Sequence, residues 1–191
     1  MSDPHVVIVG GGFSGTAVAI HLMREATRPV RISVIEPRKH LGQGVAYSAT
    51  DPAHRINVPA ARMQLAGEDD GAFDRWYRRY GDFPQDTQAQ LADGSVYPQR
   101  GAFGRYVEAA FIQASQQHGS RVAHIRERAV DWRDGSLITS GGHRLRADRI
   151  VLAVSHPPPR LPRTVQTSSQ HPRLIANPWS AGALSGIPST A

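Results

Sequence analysis

Residues 6–15 of this chain read Val-Val-Ile-Val-Gly-Gly-Gly-Phe-Ser-Gly, an apolar run that enters a glycine-rich turn, and a second apolar run at 31–35 ends on Glu36. Each glycine of the pattern has its own physical reason. Gly10 allows a sharp turn out of the first strand, Gly12 lets main chain approach a pyrophosphate, and Gly15 lets the next helix pack close to the sheet. The stretch therefore predicts a dinucleotide-binding unit of strand, glycine turn, helix and strand.

The predicted contacts divide between phosphate and ribose. A helix that starts near Gly12 would present unpaired N–H groups and the positive end of its dipole, so the main chain at Phe13 and Ser14 joins the three glycines as the predicted pyrophosphate site. Glu36 comes 21 residues after Gly15. Its carboxylate can accept hydrogen bonds from ribose hydroxyls and would repel a 2′-phosphate. Absence of Pro and Gly from residues 16–26 supports the helix.

Composition bounds the class of protein. A chain of 191 residues can form one domain with its own core. The formal charge of +6 does not predict nucleic-acid binding, because Lys39 is the only lysine and the arginines are spread along the chain without a basic stripe.

Other classes of site are also disfavoured. The chain has no cysteine, which excludes disulfides, thiolate metal sites and a redox-active cysteine pair. Nine histidines form no tight ligand set with acids, so no metal site is predicted. No apolar run reaches the roughly 18 residues of a membrane span, and a cytoplasmic protein without membrane partners is expected.

Two further helices are predicted. Residues 71–80 carry Phe73, Trp76 and Tyr77 on one face, typical of a core-facing stripe, and the preceding acids at 68–70 could cap the helix. Residues 102–117 have a longer apolar face, with Gly119 as a stop. Between the two helices, 81–96 is rich in Asp, Gln and Gly and is expected to be an exposed excursion.

The strands complete an α/β, Rossmann-like prediction: a parallel sheet, a crossover helix and a small antiparallel β-meander. The predicted strands are 122–125 and 149–154 in the parallel sheet, and 129–132, 137–139 and 143–145 in the meander, separated by hairpin signals. The expected domain covers 1–156. Residues 157–191 are rich in Pro, Ser, Thr and Gly and are expected to be a linker or truncated tail.

This order of elements resembles the N-terminal half of flavoproteins with two dinucleotide-binding domains. In particular, the chain is similar to the FAD/NAD(P)-binding proteins labelled YdhS-like, relatives of flavin-dependent monooxygenases and of ornithine or lysine N-hydroxylases. The motifs that carry the resemblance are Val7–Gly15, Gly42–Ser48, His54–Ala60, Gly104–Tyr106, Ala147–Ala153 and His156-Pro157.

The resemblance implies FAD as cofactor, with NAD(P)H as a possible co-substrate. It places Gln43, Asn57 and Arg100 in loops on the flavin side, and the main chain of Val130 against the adenine. Related flavoproteins usually end their final strand in Ala-Thr-Gly, whereas here Val154 and Ser155 follow Ala153. No residue is assigned a catalytic role.

Three hypotheses about function follow. The first is the FAD-binding domain of an NAD(P)H-linked oxidoreductase or monooxygenase whose NAD(P) domain lies outside these residues and whose small-molecule substrate is unidentified. Without the rest of such a protein, the FAD-binding domain would expose apolar surface, and this exposed surface would favour self-association. The second is a single-domain NAD-binding oxidoreductase, and the third is a non-enzymatic dinucleotide sensor or fragment.

Overall fold

Four parallel strands form the central sheet of the computed structural model, which describes residues 3–65, 70–117, 121–156, 160–168, 171–180 and 182–187. The strands of this sheet are β1 (His5–Val9), β2 (Arg31–Ile35), β3 (Arg121–Ile125) and β7 (Arg149–Leu152), in the order β3-β2-β1-β7. The helices are α1 (Phe13–Glu25), α2 (Ala72–Tyr80) and α3 (Arg100–Gln117). The meander is β4 (Ala129–Arg133), β5 (Ser136–Thr139) and β6 (Arg144–Arg146), all antiparallel. The predicted α/β, Rossmann-like fold is therefore confirmed.

Strand alternation assigns the two faces of the sheet. Val6 and Ile8 of β1 lie in the larger core cluster with the buried faces of α1 and α3, whereas Val7 lies in a smaller cluster with Leu137 of the meander. Successive side chains of a strand point to opposite faces, so helices cover one side and the meander covers the other. The aromatic stripe of α2 faces the core as predicted, since Phe73 and Tyr77 are buried.

The segment between α2 and α3 corrects one prediction. Residues 81–96 were expected to be exposed, but Ala89 and Val96 are fully buried in the helix-side core. A bridge between Gln90 and Val96 and a hydrogen bond from Tyr97 N to Ala89 O fold the segment back on itself. Its polar composition hid two apolar residues too widely spaced to form a periodic pattern.

Element boundaries bring further corrections. Asp70 does not cap α2: the cap residue is Gly71, in the left-handed region at φ 76°, and Arg75 donates to the main-chain oxygen of Asp70. Glu68, Asp69 and Gly119 lie outside the described residues. Helix α3 starts at Arg100, two residues earlier than predicted, and β7 ends at Leu152 instead of Val154.

Strand β7 also differs from the prediction in burial. It was expected to be a buried strand, but among the described strands it pairs with β1 alone and is an edge of the sheet. Leu152 is 71% exposed. A continuous apolar strand is typical of a position covered on all sides, but no described strand pairs with the outer side of β7.

Candidate functional site

The carboxyl ends of the parallel strands bring the predicted residues to one edge of the sheet. Gly10 follows β1, Glu36 follows β2 and Ala153 follows β7, in register with one another. Main-chain bonds continue the ladder past the strand ends, from Gly10 N to Ile35 O at 2.9 Å and from Ala153 N to Val9 O at 2.8 Å. In open α/β sheets this edge is where ligands bind.

Two glycines of the turn are required by the protein itself. Gly10 has φ 103°, a conformation that side chains disfavour, and a Cβ there would collide with the main-chain oxygen of Ala153. A Cβ on Gly15 would collide with the oxygen of Gly10. The predicted reasons for these two glycines, a sharp turn and close helix packing, are both present in the structure.

Gly12 differs from these two glycines. Its φ of −71° is open to any residue, and the nearest atom to a Cβ placed there is Gly44 Cα, at an ordinary contact distance of 3.4 Å. Gly12 is the N-cap residue of α1, where no side chain caps the helix and no acid lies in the first turn. The first N–H groups of α1 thus have no intrahelical partner, and the glycine next to them is not required by packing.

Sequence reasoning missed the network beneath this turn. The Thr16 hydroxyl is buried; it donates to Gly11 O at 3.1 Å and accepts from Gly42 N at 2.9 Å. Gly42 N lies 2.9 Å from Gly11 O as well, and a Cβ on Gly11 would collide with Leu41. A small hydroxyl residue immediately after the last glycine of the motif was the available signal. These contacts hold residues 41–44 against the glycine turn.

Glu36 is tied directly to the glycine turn. Its side chain is 6% exposed; Oε2 accepts from Gly11 N at 3.1 Å and Oε1 from Arg38 N at 3.0 Å, with the Arg38 guanidinium at 3.5 Å. Two carboxylate oxygens offer about four acceptor positions, so capacity for further donors remains. The main-chain N–H groups of Gly11 and Arg38 thus hold the Glu36 side chain next to the glycine turn.

Residues 42–49 connect the turn to the start of α3. Gly44 contacts Gly12, and a Cβ on Gly104 would meet Tyr47 O at 2.6 Å and Gln43 Cγ at 2.8 Å. The pKa of the Tyr47 hydroxyl is raised by burial, and the positive charge of Arg100 acts in the opposite direction. Gln43 is therefore linked through Gly44 to the glycine turn, and the charge of Arg100 acts on Tyr47 in the same segment.

A partly buried ion pair fixes the segment that contains Asn57. The Arg55 guanidinium contacts both oxygens of Asp86, at 2.7 and 3.1 Å, and Tyr77 Oη donates to the same carboxylate at 3.0 Å. The Asp86 pKa is lowered chiefly by Arg55, and burial raises the pKa of Tyr77. Arg100 N donates to His54 O at 2.8 Å, so this segment lies beside the start of α3.

The remaining predicted residues lie apart from this set. Asn57 is exposed. Val130 is 58% exposed in β4, where a register shift between Ala129 and Asp131 leaves it without a cross-strand partner. Asp134 is the one described non-glycine residue with positive φ, so the turn at Val154 and Ser155 does not require the glycine found there in related flavoproteins.

Part of the C-terminal region contacts the site. Residues Arg163–Ser168 form a 3₁₀ helix, and Trp179 N donates to Asn177 Oδ1 at 3.1 Å in a tight turn. The Trp179 ring lies 5.0 Å from the His54 ring, and the Arg100 guanidinium lies 5.2 Å from the Trp179 ring centre. The sequence signal was the Asn177-Pro178-Trp179 segment within a Pro-rich stretch, which resembles a segment of related flavoproteins.

Two other site types were sought over the same residues. No group of three His, Cys, Asp or Glu side chains in the described ranges is placed to hold a metal ion. Within those ranges, no helix combines the length and apolar character that a membrane crossing requires.

Comparison with known proteins gives one family match. A family model described as FAD-NAD(P)-binding matches residues 7–157, and no curated protein matches the chain. The chain therefore belongs to the FAD-NAD(P)-binding family, as the sequence resemblance implied, and its cofactor class is that of the flavin and nicotinamide adenine dinucleotides.

Solved structures share the fold. Lysine monooxygenase NbtG from Nocardia farcinica has a TM-score of 0.52 at 14% identity, over 82% of this chain and 44% of that chain. Closed cyclohexanone monooxygenase has 0.52 at 16%, over 84% and 28%, and its open form has 0.51 at 18%, over 79% and 26%. The chain thus spans from about a quarter to under half of the length of these neighbours.

Proposed function

We propose that this chain is the FAD-binding domain of an NAD(P)H-linked flavoprotein oxidoreductase of the monooxygenase type. One observation carries the proposal furthest. Packing and backbone strain account for Gly10, Gly11 and Gly15, but neither of them accounts for Gly12, the N-cap residue that lies beside the unpaired N–H groups of α1. A close approach by a pyrophosphate explains both features.

The proposed contacts follow the placement of the residues. Main chain at Gly10, Gly12, Phe13, Ser14 and Gly15 forms the pyrophosphate site. Glu36 accepts from the ribose hydroxyls, since its orientation is already fixed by Gly11 N and its two oxygens retain acceptor capacity. Val130 offers the main chain of a β-bulge to the adenine. Gln43, Asn57 and Arg100 form the flavin side.

The donors and acceptors present fit an adenine dinucleotide. The helix terminus suits the phosphates, the Glu36 carboxylate suits an unphosphorylated ribose, and His54 Nδ1 is a buried polar atom without a partner in the described structure. A buried, unpaired polar atom costs stability unless a ligand or water meets it. His54 adjoins Arg100, so such an atom lies on the proposed flavin side.

Bound FAD supplies the redox chemistry, and this chain's own residues supply binding, orientation and charge. The α1 terminus and the Arg100 guanidinium place positive charge at the two ends of the site. The packing of Phe13, Tyr47 and Phe103, with ring centres 4.9 to 6.1 Å apart, keeps the wall between these ends rigid and apolar.

NAD(P)H oxidation needs, in this proposal, a second nucleotide site. In the given sequence Gly182 and Gly186 follow no strand and start no helix, and they do not form a second fingerprint. We expect that these 191 residues, loaded with FAD, do not oxidise NADH or NADPH. Anaerobic stopped-flow mixing checks this, and saturable flavin bleaching at about 1 per second or faster would contradict it.

FAD titration of the purified chain tests the proposed cofactor site. We expect a yellow complex, and weakening of about 100-fold by Gly12→Ala, since displaced phosphates lose one or two charge-assisted hydrogen bonds of about 1.5–3 kcal/mol each. Gly186→Ala is the matched control, because a Cβ there meets open space.

The unfolding midpoint of Gly186→Ala should equal that of wild type, and that of Gly12→Ala should lie only slightly below it, because alanine is a poorer N-cap residue than glycine. Unchanged FAD affinity in a folded Gly12→Ala variant would overturn the site. A colourless chain that binds NAD but not FAD would favour the single-domain NAD oxidoreductase, and binding of neither would favour a non-enzymatic fragment.

A further inference from the structure

The Asn177-Pro178-Trp179 turn makes a contact that a simple spacer would not need. Trp179 comes from the Pro-rich C-terminal region and is 43% exposed, yet one part of its ring lies against His54 and Arg100. Hydrogen bonds from Trp179 N to Asn177 Oδ1 and from Ser180 N to Asn177 O, both at 3.1 Å, close the turn. The ring is thus presented by a locally ordered structure.

Among the side chains in this contact, that of Arg100 has the most conformational freedom to lose when its position is fixed. An arginine side chain has several rotatable bonds, and fixing its guanidinium in one position costs side-chain entropy. Its main chain is fixed by the bond to His54 O at 2.8 Å, but that bond leaves the side chain unconstrained. An aromatic face within about 6 Å attracts the cation and holds it without neutralising its charge, whereas a carboxylate would cancel that charge.

His54 completes the arrangement. Its ring lies 5.0 Å from Trp179 with an angle of 38° between the planes, and its Nδ1 is buried without a hydrogen-bond partner. One indole thus contacts two of the side chains that the proposed function places at the flavin end, a cation and an imidazole ring whose Nδ1 is unpaired. The contact joins residues 54, 100 and 179, which only the tertiary structure brings together.

We propose that Trp179 is a positioning residue that orients the Arg100 guanidinium toward the flavin end of the cofactor site. This inference rests on the proposed FAD function and adds to it a residue from outside the range of the family match. The 177–180 turn is accordingly a part of the cofactor site, and its role is to keep a cation fixed and unneutralised beside the bound flavin.

A double-mutant cycle on the FAD dissociation constant tests the role. We expect W179L to weaken FAD binding about fivefold, in line with a cation–π contact of about 1 kcal/mol. W179F retains an aromatic face and should stay within about twofold of wild type. In an R100Q background, W179L should cause no further weakening, because Trp179 acts through Arg100.

Two additional measurements separate positioning from a general effect. Trp132 is 50% exposed in the meander, so W132L removes a tryptophan of similar exposure and should leave FAD affinity unchanged. Without FAD, the Arg100 side-chain NMR signals should carry a ring-current shift in wild type that W179L abolishes and W132L preserves.

Several outcomes would overturn the inference. These are an unchanged dissociation constant in W179L, equal weakening by W179L with and without R100Q, equal weakening by W132L, or an Arg100 spectrum that W179L does not alter. In each case wild type still binds FAD, so the proposed function stands. Failure of wild type to bind FAD would overturn the proposed function and this inference together.

Discussion

The two ends of the candidate site are built in different ways. The proposed phosphate and ribose end consists of one short segment, Gly10–Gly15, and the residue after the next strand, Glu36. The proposed flavin end draws on Gln43, His54, Arg100 and Trp179, which separate elements bring together. The first end depends on local backbone geometry, and the second depends on packing between distant segments. Substitutions should therefore affect stability and binding differently at the two ends.

The largest effect should come from the ion pair behind the flavin end. Asp86→Ala leaves the partly buried Arg55 guanidinium with Tyr97 O but without its carboxylate, and we expect the free energy of unfolding to fall by about 2–4 kcal/mol, less than for a fully buried pair. Asp82→Ala is the control, because the Asp82 side chain is 69% exposed and its pair with Arg105 should contribute about 0–1 kcal/mol. Urea denaturation measures both. Equal losses in the two variants would remove the distinction between the two ends.

At the ribose end, Glu36→Ala should reduce FAD affinity by about 1.5–3 kcal/mol, because charge-assisted hydrogen bonds to ribose hydroxyls are lost. Isothermal titration or flavin fluorescence measures the change. Glu25→Ala removes a 77% exposed carboxylate from α1 and should leave affinity unchanged. A Glu36→Ala variant that binds FAD as tightly as wild type would remove Glu36 from the site.

Gly104→Ala tests how tightly the two ends are joined. Alanine normally stabilises a helix relative to glycine, but a Cβ at this position meets Tyr47 O at 2.6 Å and Gln43 Cγ at 2.8 Å. We expect overpacking to dominate and to lower the unfolding free energy by about 1–3 kcal/mol, with weaker FAD binding. A thermal melt and an FAD titration together check this. A rise in stability would show that residues 43–47 adjust freely and that their packing against α3 is loose.

The smallest effect should come from His5, which starts strand β1 and so lies at the opposite end of the parallel strands from the candidate site. His5 Nδ1 lies 2.6 Å from Arg146 O, so this nitrogen carries the hydrogen and Nε2 accepts from Ser33 Oγ at 2.8 Å. Burial lowers the pKa of His5, Arg31 lowers it further, and the Arg146 carbonyl and Asp148 oppose the shift.

The sign of the pH effect follows from that lowered pKa. Between the folded pKa and the ordinary value of about 6.5, the unfolded chain binds more protons, so stability should decrease as the pH falls below about 6.5. Urea denaturation at pH 7.5 and 5.5 should show a smaller pH dependence in His5→Gln than in wild type, with FAD affinity unaffected by the substitution at pH 7.5. An identical pH dependence in the two proteins would exclude His5 as the group responsible.

Local rules were sufficient for the first end of the site. Gly10 and Gly15 have steric requirements that act within a few residues, and strand β2 was predicted to the residue as Arg31–Ile35. Local rules failed where burial depended on distant partners. Ala89 and Val96 are core residues within a polar segment, and the Thr16 hydroxyl is a buried link between two loops. No periodic pattern reports such contacts, because each involves a single side chain.

By itself, the sequence determined the family, the order of the main helices and strands, and the glycine turn with its acidic partner, because turn geometry and strand periodicity are properties of neighbouring residues. The tertiary structure alone decided which glycine the protein does not need for itself, how Asp86 holds Arg55, and that Trp179 reaches Arg100. Those features depend on the distances between atoms far apart in the chain, which are set when the sheet, the helices and the loops pack together.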